Sequence, residues 1–193
     1  MDIVSGNYIV FNETEADKAK VVVSSASMPF IFPNRKWEDR GVICMDGGTT
    51  WNVNLVSAIE RCREIVDDDS DITIDIISAD THILEGKIGR NAYHNYLIFQ
   101  DLKKYFGKES DVVVFMKAFP TVNFRYYVEP SIPLPAGSKL LDFDNSTNTY
   151  GNQMQGRIDG KKVIEKGEGV SFQELVARYE GRLQQRVSKG PNQ

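Results

Sequence analysis

The stretch ICMDGGTTWNVNLVSAIERC, Ile43 to Cys62, decides how the rest of the chain is read. Val42 to Met45 is fully apolar and of strand length, as expected of a strand covered on both faces. Asp46, Gly47 and Gly48 follow. Leu55, Ile59, Cys62 and Val66 then recur at helical spacing, with Arg and Glu on the other face. Ile72, Ile74, Ile76 and Ile77 make a second β-branched strand. Strand, helix and strand in this order predict a βαβ unit with parallel strands. Asp46 then falls at the carboxyl edge of the sheet, where open α/β sheets bind ligands.

Working outward, Tyr8 to Phe11 reads as a strand. Asn12 with Glu15 reads as the start of a helix running to about Ser27, closed by Pro29. Asn91 to Phe106 reads as a helix, and Asp111–Phe119 and Asn123–Glu129 as strands. Pro130 to Gly169 is rich in Pro, Gly, Asn and Asp and predicts loops. Ser171 and Glu174 have the spacing of a capping box for a last helix to about Val187, with Phe172, Leu175, Val176, Tyr179 and Leu183 inward. The expected class is α/β.

The 193 residues are 41% hydrophobic, enough for a sizeable core in one domain or a large part of one. The formal net charge is −4 with acids and bases interspersed, so no basic stripe suggests nucleic acid as a partner. Cys44 and Cys62 form neither a disulfide framework nor a metal motif and read as reduced packing residues. There is no apolar run of about 18 residues and no signal-peptide pattern, which predicts a cytoplasmic protein, peripheral at most on membranes. Asp67, Asp68, Asp69 and Asp71 lack the Gly and distal Glu of a calcium loop and read as a solvated connection. Neither His82 nor His94 stands at a metal-ligand spacing. No cofactor and no metal is expected.

A carboxylate in the position of Asp46 can accept a proton from a nucleophile's hydroxyl, but acyl chemistry needs that nucleophile. The competing reading is that Asp46 caps the helix beginning near Asn54. Ser24, Ser25 and Ser27 lie on a helix without flanking glycines and read as small packing residues. GVSFQ, Gly169 to Gln173, has Gln where a nucleophile elbow needs its second Gly.

Two spaced segments, SSASMPFIFP (Ser24 to Pro33) and MDGGTTWNVNLVSAIE (Met45 to Glu60), together resemble the Asp-bearing part of the patatin-like phospholipases. The resemblance is good from about Gly6 to Ala79 and fades through about Val128. It implies a partial three-layer α/β/α domain with a mainly parallel sheet over 1–135. A loop-rich extension with a terminal helix would occupy 136–193. It implies hydrolysis of ester bonds in phospholipids or acylglycerols by a Ser–Asp dyad, without histidine. Asp46 would be the proton acceptor, Gly47 and Gly48 its turn, and Pro29, Phe30 and Phe32 part of the acyl-site lining. The sequence departs from the family's order in one respect. The family places a G-x-S-x-G elbow and a Gly-rich oxyanion loop before the Asp, and the residues before Asp46 contain neither. The chain is therefore expected to carry the Asp half alone and to be inactive by itself. Its partners would be a lipid or membrane-surface substrate in the assembled domain, and a second copy or the absent N-terminal half. The alternatives are a non-catalytic lipid- or partner-binding module on the same scaffold, and a sugar-kinase or actin-like phosphate loop. The last is disfavoured by the helix pattern after MDGGTT.

Overall fold

The computed structural model describes residues 1–29, 31–50, 53–79, 89–133 and 146–188. Two compact units divide the chain, Met1–Arg61 and Cys62–Gln193. The class is α/β, as expected.

In the first unit a helix, α1 (Lys18–Ser25), precedes a short hairpin of β1 (Arg35–Trp37) and β2 (Val42–Cys44). The helix starts later than Asn12. The Asn12 side chain instead accepts from the N–H and hydroxyl of Thr14, which closes a local turn in competition with helix. Asp17 takes over as N-cap, accepting from Lys20 N–H at 2.9 Å. Tyr8 to Phe11 is not a strand among the described residues. Phe11 stacks on Trp37 with ring centroids 4.8 Å apart, and the Arg40 guanidinium lies over both rings. Helix α2 (Leu55–Arg63) buries Leu55 and Ile59 of the four residues in the apolar repeat; Cys62 is half-buried and Val66 lies beyond the helix.

Strand β2 does not pair with the next isoleucine strand, which corrects the expected βαβ unit. It pairs antiparallel with β1. Its other edge is taken by the N-terminal residues. Met1 and Met45 exchange both backbone hydrogen bonds, and Ile3 N–H donates to Ile43 C=O at 2.9 Å. A hairpin closes a short loop and costs less chain entropy than a crossover, which accounts for the β1 edge, while the other edge is filled by residues far away in sequence. The Asp2 carboxylate fastens this arrangement, accepting from Ser5 N–H and hydroxyl and from Ile43 N–H.

The parallel pair lies in the second unit, between β3 (Thr73–Ile77) and β4 (Asn123–Val128). Their crossover contains one long helix, α3 (Ala92–Ala118). It absorbs Asp111–Phe119, expected as a strand from its β-branched run. Val112 and Val113 are buried while Val114 is exposed, a helical and not an alternating pattern. Packing on α5 outweighs the β propensity of three valines. Helix α4 (Ser146–Lys166) replaces the loops expected there. Its buried Asp159 accepts from Ser131 N–H at 3.0 Å and from the Gln155 amide at 2.9 Å. That tie and its packing on β4 and α5 hold a glycine-bearing segment helical. Gly167 (φ 98°) and Gly169 (φ 75°) turn the chain through left-handed torsions into α5 (Val170–Ser188), the terminal helix expected from sequence.

Phe172 centres this core. It meets Phe124 edge-on at 5.4 Å and Tyr127 at 5.7 Å. Ser171 is not the cap the sequence suggests. It is buried inside the helix, and its hydroxyl accepts from Tyr127 N–H at 2.8 Å. Because α4 and α5 both pack on β4, the C-terminal stretch shares its unit with the parallel strands.

Candidate functional site

The site is built from the end of β2. Asp46 follows Met45, which Met1 pins from both sides, and the Asp46 N–H donates to Ser27 C=O at 3.0 Å. One backbone bond thus joins the two spaced segments of the sequence motif. The Asp46 carboxylate is half-buried, and its Oδ1 accepts from Gly48 N–H at 2.7 Å. This caps a short 3-10 turn, Gly47–Thr49. The Thr49 hydroxyl donates back to Asp46 C=O. Asp46 is therefore a cap, but of this turn. Helix α2 has its own cap in Asn54, which accepts from Ser57 N–H at 3.1 Å.

Gly47 and Gly48 have right-handed torsions within that turn, so the expected need for unusual backbone angles is not met. The reason for glycine at 47 is proximity. A Cβ there would stand 2.9 Å from Tyr8 Oη. Beside it lies a cleft of about 200 Å³, bordered by Tyr8, Gly47 and the apolar Ile9, Phe11 and Val21. Ser25 and Asn54 border it as well, so the lining mixes polar and apolar groups.

Among the other expected residues, Pro29 is half-buried and Phe32 is 44% exposed, and neither borders that cleft. Phe30 lies outside the described residues. Ser24 is buried and accepts from Trp37 Nε1–H at 3.0 Å. Ser27 is buried and donates to Val23 C=O at 2.7 Å. Ser25 is exposed and borders the cleft. The acidic run is used locally. Asp68 caps a turn through Ser70 N–H, and Asp69 holds the Arg63 guanidinium with bonds of 2.8 and 2.7 Å. Both cysteines are free thiols, and burial pushes the Cys44 thiol up. His94 is exposed on α3, and His82 lies outside the described residues.

A second cluster escaped the sequence reading. Glu109 of α3, only 3% exposed, accepts from Arg178 Nε of α5 at 3.0 Å and is also paired with Arg182. Arg178 reaches on to Glu129, the residue after β4, at 2.8 Å. The signal was available, since Arg178 and Arg182 share one helix face. It was lost because Asp111–Phe119 read as a strand, which cut Glu109 out of a helix.

Comparison with family models, with curated proteins and with solved structures finds no match to this chain.

Proposed function

We propose that the chain is the Asp-bearing part of a patatin-like lipid acyl hydrolase, with Asp46 as proton acceptor. The observation that supports this is the bond from Asp46 N–H to Ser27 C=O. It sets the D-G-G turn against the residues that follow α1 and beside a cleft of mixed polar and apolar lining. In this reading a serine Oγ attacks the ester carbonyl while its proton passes to Asp46. Asp46 passes that proton to the departing alkoxide as the acyl-enzyme forms; water then gives a proton to Asp46 as it attacks the acyl carbon, and Asp46 returns it to the serine Oγ as the acid leaves. The serine and the oxyanion donors come from outside these residues, and the chain alone turns nothing over. Ile31 and Phe32, exposed beside Pro29, would face a lipid surface from the cytoplasmic side. No helix among the described residues is long and apolar enough to cross a membrane.

A non-catalytic module on the same scaffold is the second reading. It is favoured by one observation: one of the two carboxylate oxygens of Asp46 is already engaged by Gly48 N–H as a turn cap. The two readings separate on the coding sequence upstream of the Met1 codon. An in-frame G-x-S-x-G there, with Asp46→Asn lowering ester hydrolysis of the joined protein by roughly 10³-fold or more, is the expected result. Stop codons directly upstream, or full hydrolysis with Asn at 46, would overturn the dyad.

A further inference from the structure

Helix α3 changes character along its length. Toward its carboxyl end Val112 and Val113 are buried, and the helix packs on α5. Over its first turns every residue from Ala92 to Leu97 is exposed. At about 100° per residue, Ile98 and Leu102 fall on the same side of the axis as Val112 and Val113, and both are half-buried. The opposite side of a surface helix is where charged and polar residues belong. Here it carries Tyr93 (66% exposed), Tyr96 (49%), Leu97 (43%) and Phe99 (57%), all within an arc of about 160°. Exposed apolar residues scattered singly are ordinary. Four large ones on one arc, within about two turns, mark a surface that something covers.

The charge around this arc is mainly of one sign. Residues 89–100, GRNAYHNYLIFQ, hold no carboxylate. From Gly89 to Lys108 the sequence carries Arg90, Lys103, Lys104 and Lys108 against Asp101 alone, in a chain whose net charge is −4. Arg90 and Lys103 are exposed, and Lys103 falls between Tyr96 and Phe99 around the axis. Two copies meeting through this face would set like charges against each other. Charge therefore disfavours a second copy as the cover and favours an anionic one.

We propose that the arc of Tyr93, Tyr96, Leu97 and Phe99 docks the protein on an anionic lipid surface. The first turns of α3 lie along that surface. Leu97 and Phe99 enter the acyl boundary, while Tyr93 and Tyr96 bury their rings and keep their hydroxyls among the headgroups. Arg90 and Lys103 meet the negative headgroups, the lysine reaching them past its own apolar stem. A fluid surface closes over a convex arc that presents no groove and no fixed shape to a folded partner. The docking uses the second unit and needs no ester hydrolysis, so it stands or falls apart from the role of Asp46.

The test is co-sedimentation of the full chain with vesicles, read without substrate turnover. Vesicles of phosphatidylserine and phosphatidylcholine in equal parts should bind at least about tenfold more tightly than phosphatidylcholine alone, and rising salt should shrink the difference. Tyr96→Gln with Phe99→Gln replaces exposed residues by good helix formers. It should keep the fold, checked by thermal unfolding, and bind at least about tenfold more weakly. Lys103→Gln should weaken binding to the anionic vesicles by about fivefold, and it decides if the double variant does not fold. The proposal is overturned by equal binding to the two kinds of vesicle, by binding to neither, or by undiminished binding of the folded double variant. A dimer seen in sedimentation equilibrium and abolished by the double variant would also overturn it, and would give the face to a second copy.

Discussion

The backbone N–H of Asp46 donates to the carbonyl oxygen of Ser27 at 3.0 Å, across a stretch that includes the whole β1–β2 hairpin. The bond makes the end of α1 and the D-G-G turn one local structure. It uses only main-chain atoms, so it constrains where Asp46 sits and leaves its carboxylate to other partners.

That separation gives a prediction about Asp46. Asp46→Ala removes the cap on Gly48 N–H and should cost about 0.5–2 kcal/mol of stability, while Asp46→Asn, which keeps an acceptor, should cost less. Urea unfolding of the three proteins checks the order. Equal stability of the alanine and wild-type proteins would show that the cap contributes nothing.

Gly47 should be intolerant of a side chain because Tyr8 lies against it. A Cβ at 2.9 Å from Tyr8 Oη and 3.4 Å from its Cζ forces the ring aside. Gly47→Ala should therefore destabilise by roughly 1–3 kcal/mol. Tyr8→Phe should recover part of that loss in a double-mutant cycle. Strict additivity of the two changes would mean that the ring is not what glycine accommodates.

Asp2 gives the first unit a pH dependence. The Ser5 hydroxyl, then the Ile43 N–H, hold its carboxyl at about 2, below the ordinary 3.8. A lowered folded-state value means that the stabilisation is complete above the unfolded value. It is lost as pH falls from about 4 to about 2. Asp2→Asn should flatten the decline in stability over that window and lower stability at neutral pH. Acid unfolding curves of the two proteins should converge toward pH 2.

Phe172 is the keystone of the second unit. It is 1% exposed and touches aromatic rings from β4. Phe172→Ala should cost about 3–5 kcal/mol, and Phe172→Leu less, because it leaves a smaller cavity. Chemical denaturation measures both.

Glu109 should behave as one member of a buried charge group. Glu109→Ala leaves Arg178 and Arg182 without their shared acceptor and should cost about 3–5 kcal/mol. The triple change Glu109→Leu, Arg178→Met and Arg182→Met should be close to neutral in stability. A triple variant as unstable as Glu109→Ala would show that the charge group itself stabilises the packing of α3 on α5.

Much of the local structure was legible in the chain. The apolar spacing of Leu55 and Ile59 fixed the buried face of α2, the β-branched run fixed β3, and Phe172 and Leu175 fixed the inward face of α5. These depend on periodicity, which each segment carries within itself. The candidate region was legible as far as the turn at Asp46 and the packing of Ser24 and Ser27, while Ser25, read with them as a packing residue, is exposed. What Asp46 caps, why 47 is glycine, and where Pro29 and Phe32 stand relative to the cleft were not. Each depends on a neighbour distant in sequence, such as Tyr8 or Ser27.

Strand partnership was decided only in three dimensions. β2 carries the apolar signature of a buried parallel strand, yet it is closed by a hairpin on one edge and by Met1–Ile3 on the other. Edge hydrogen bonds are nonspecific in side chain, so sequence does not say which strand will use them. Three valines at 112–114 favour a strand locally, and the surface of α5 made them part of a helix. Sequence by itself determined which residues turn inward. Tertiary structure decided what they turn toward, because packing partners and backbone pairing are properties of the folded surface and not of any one segment.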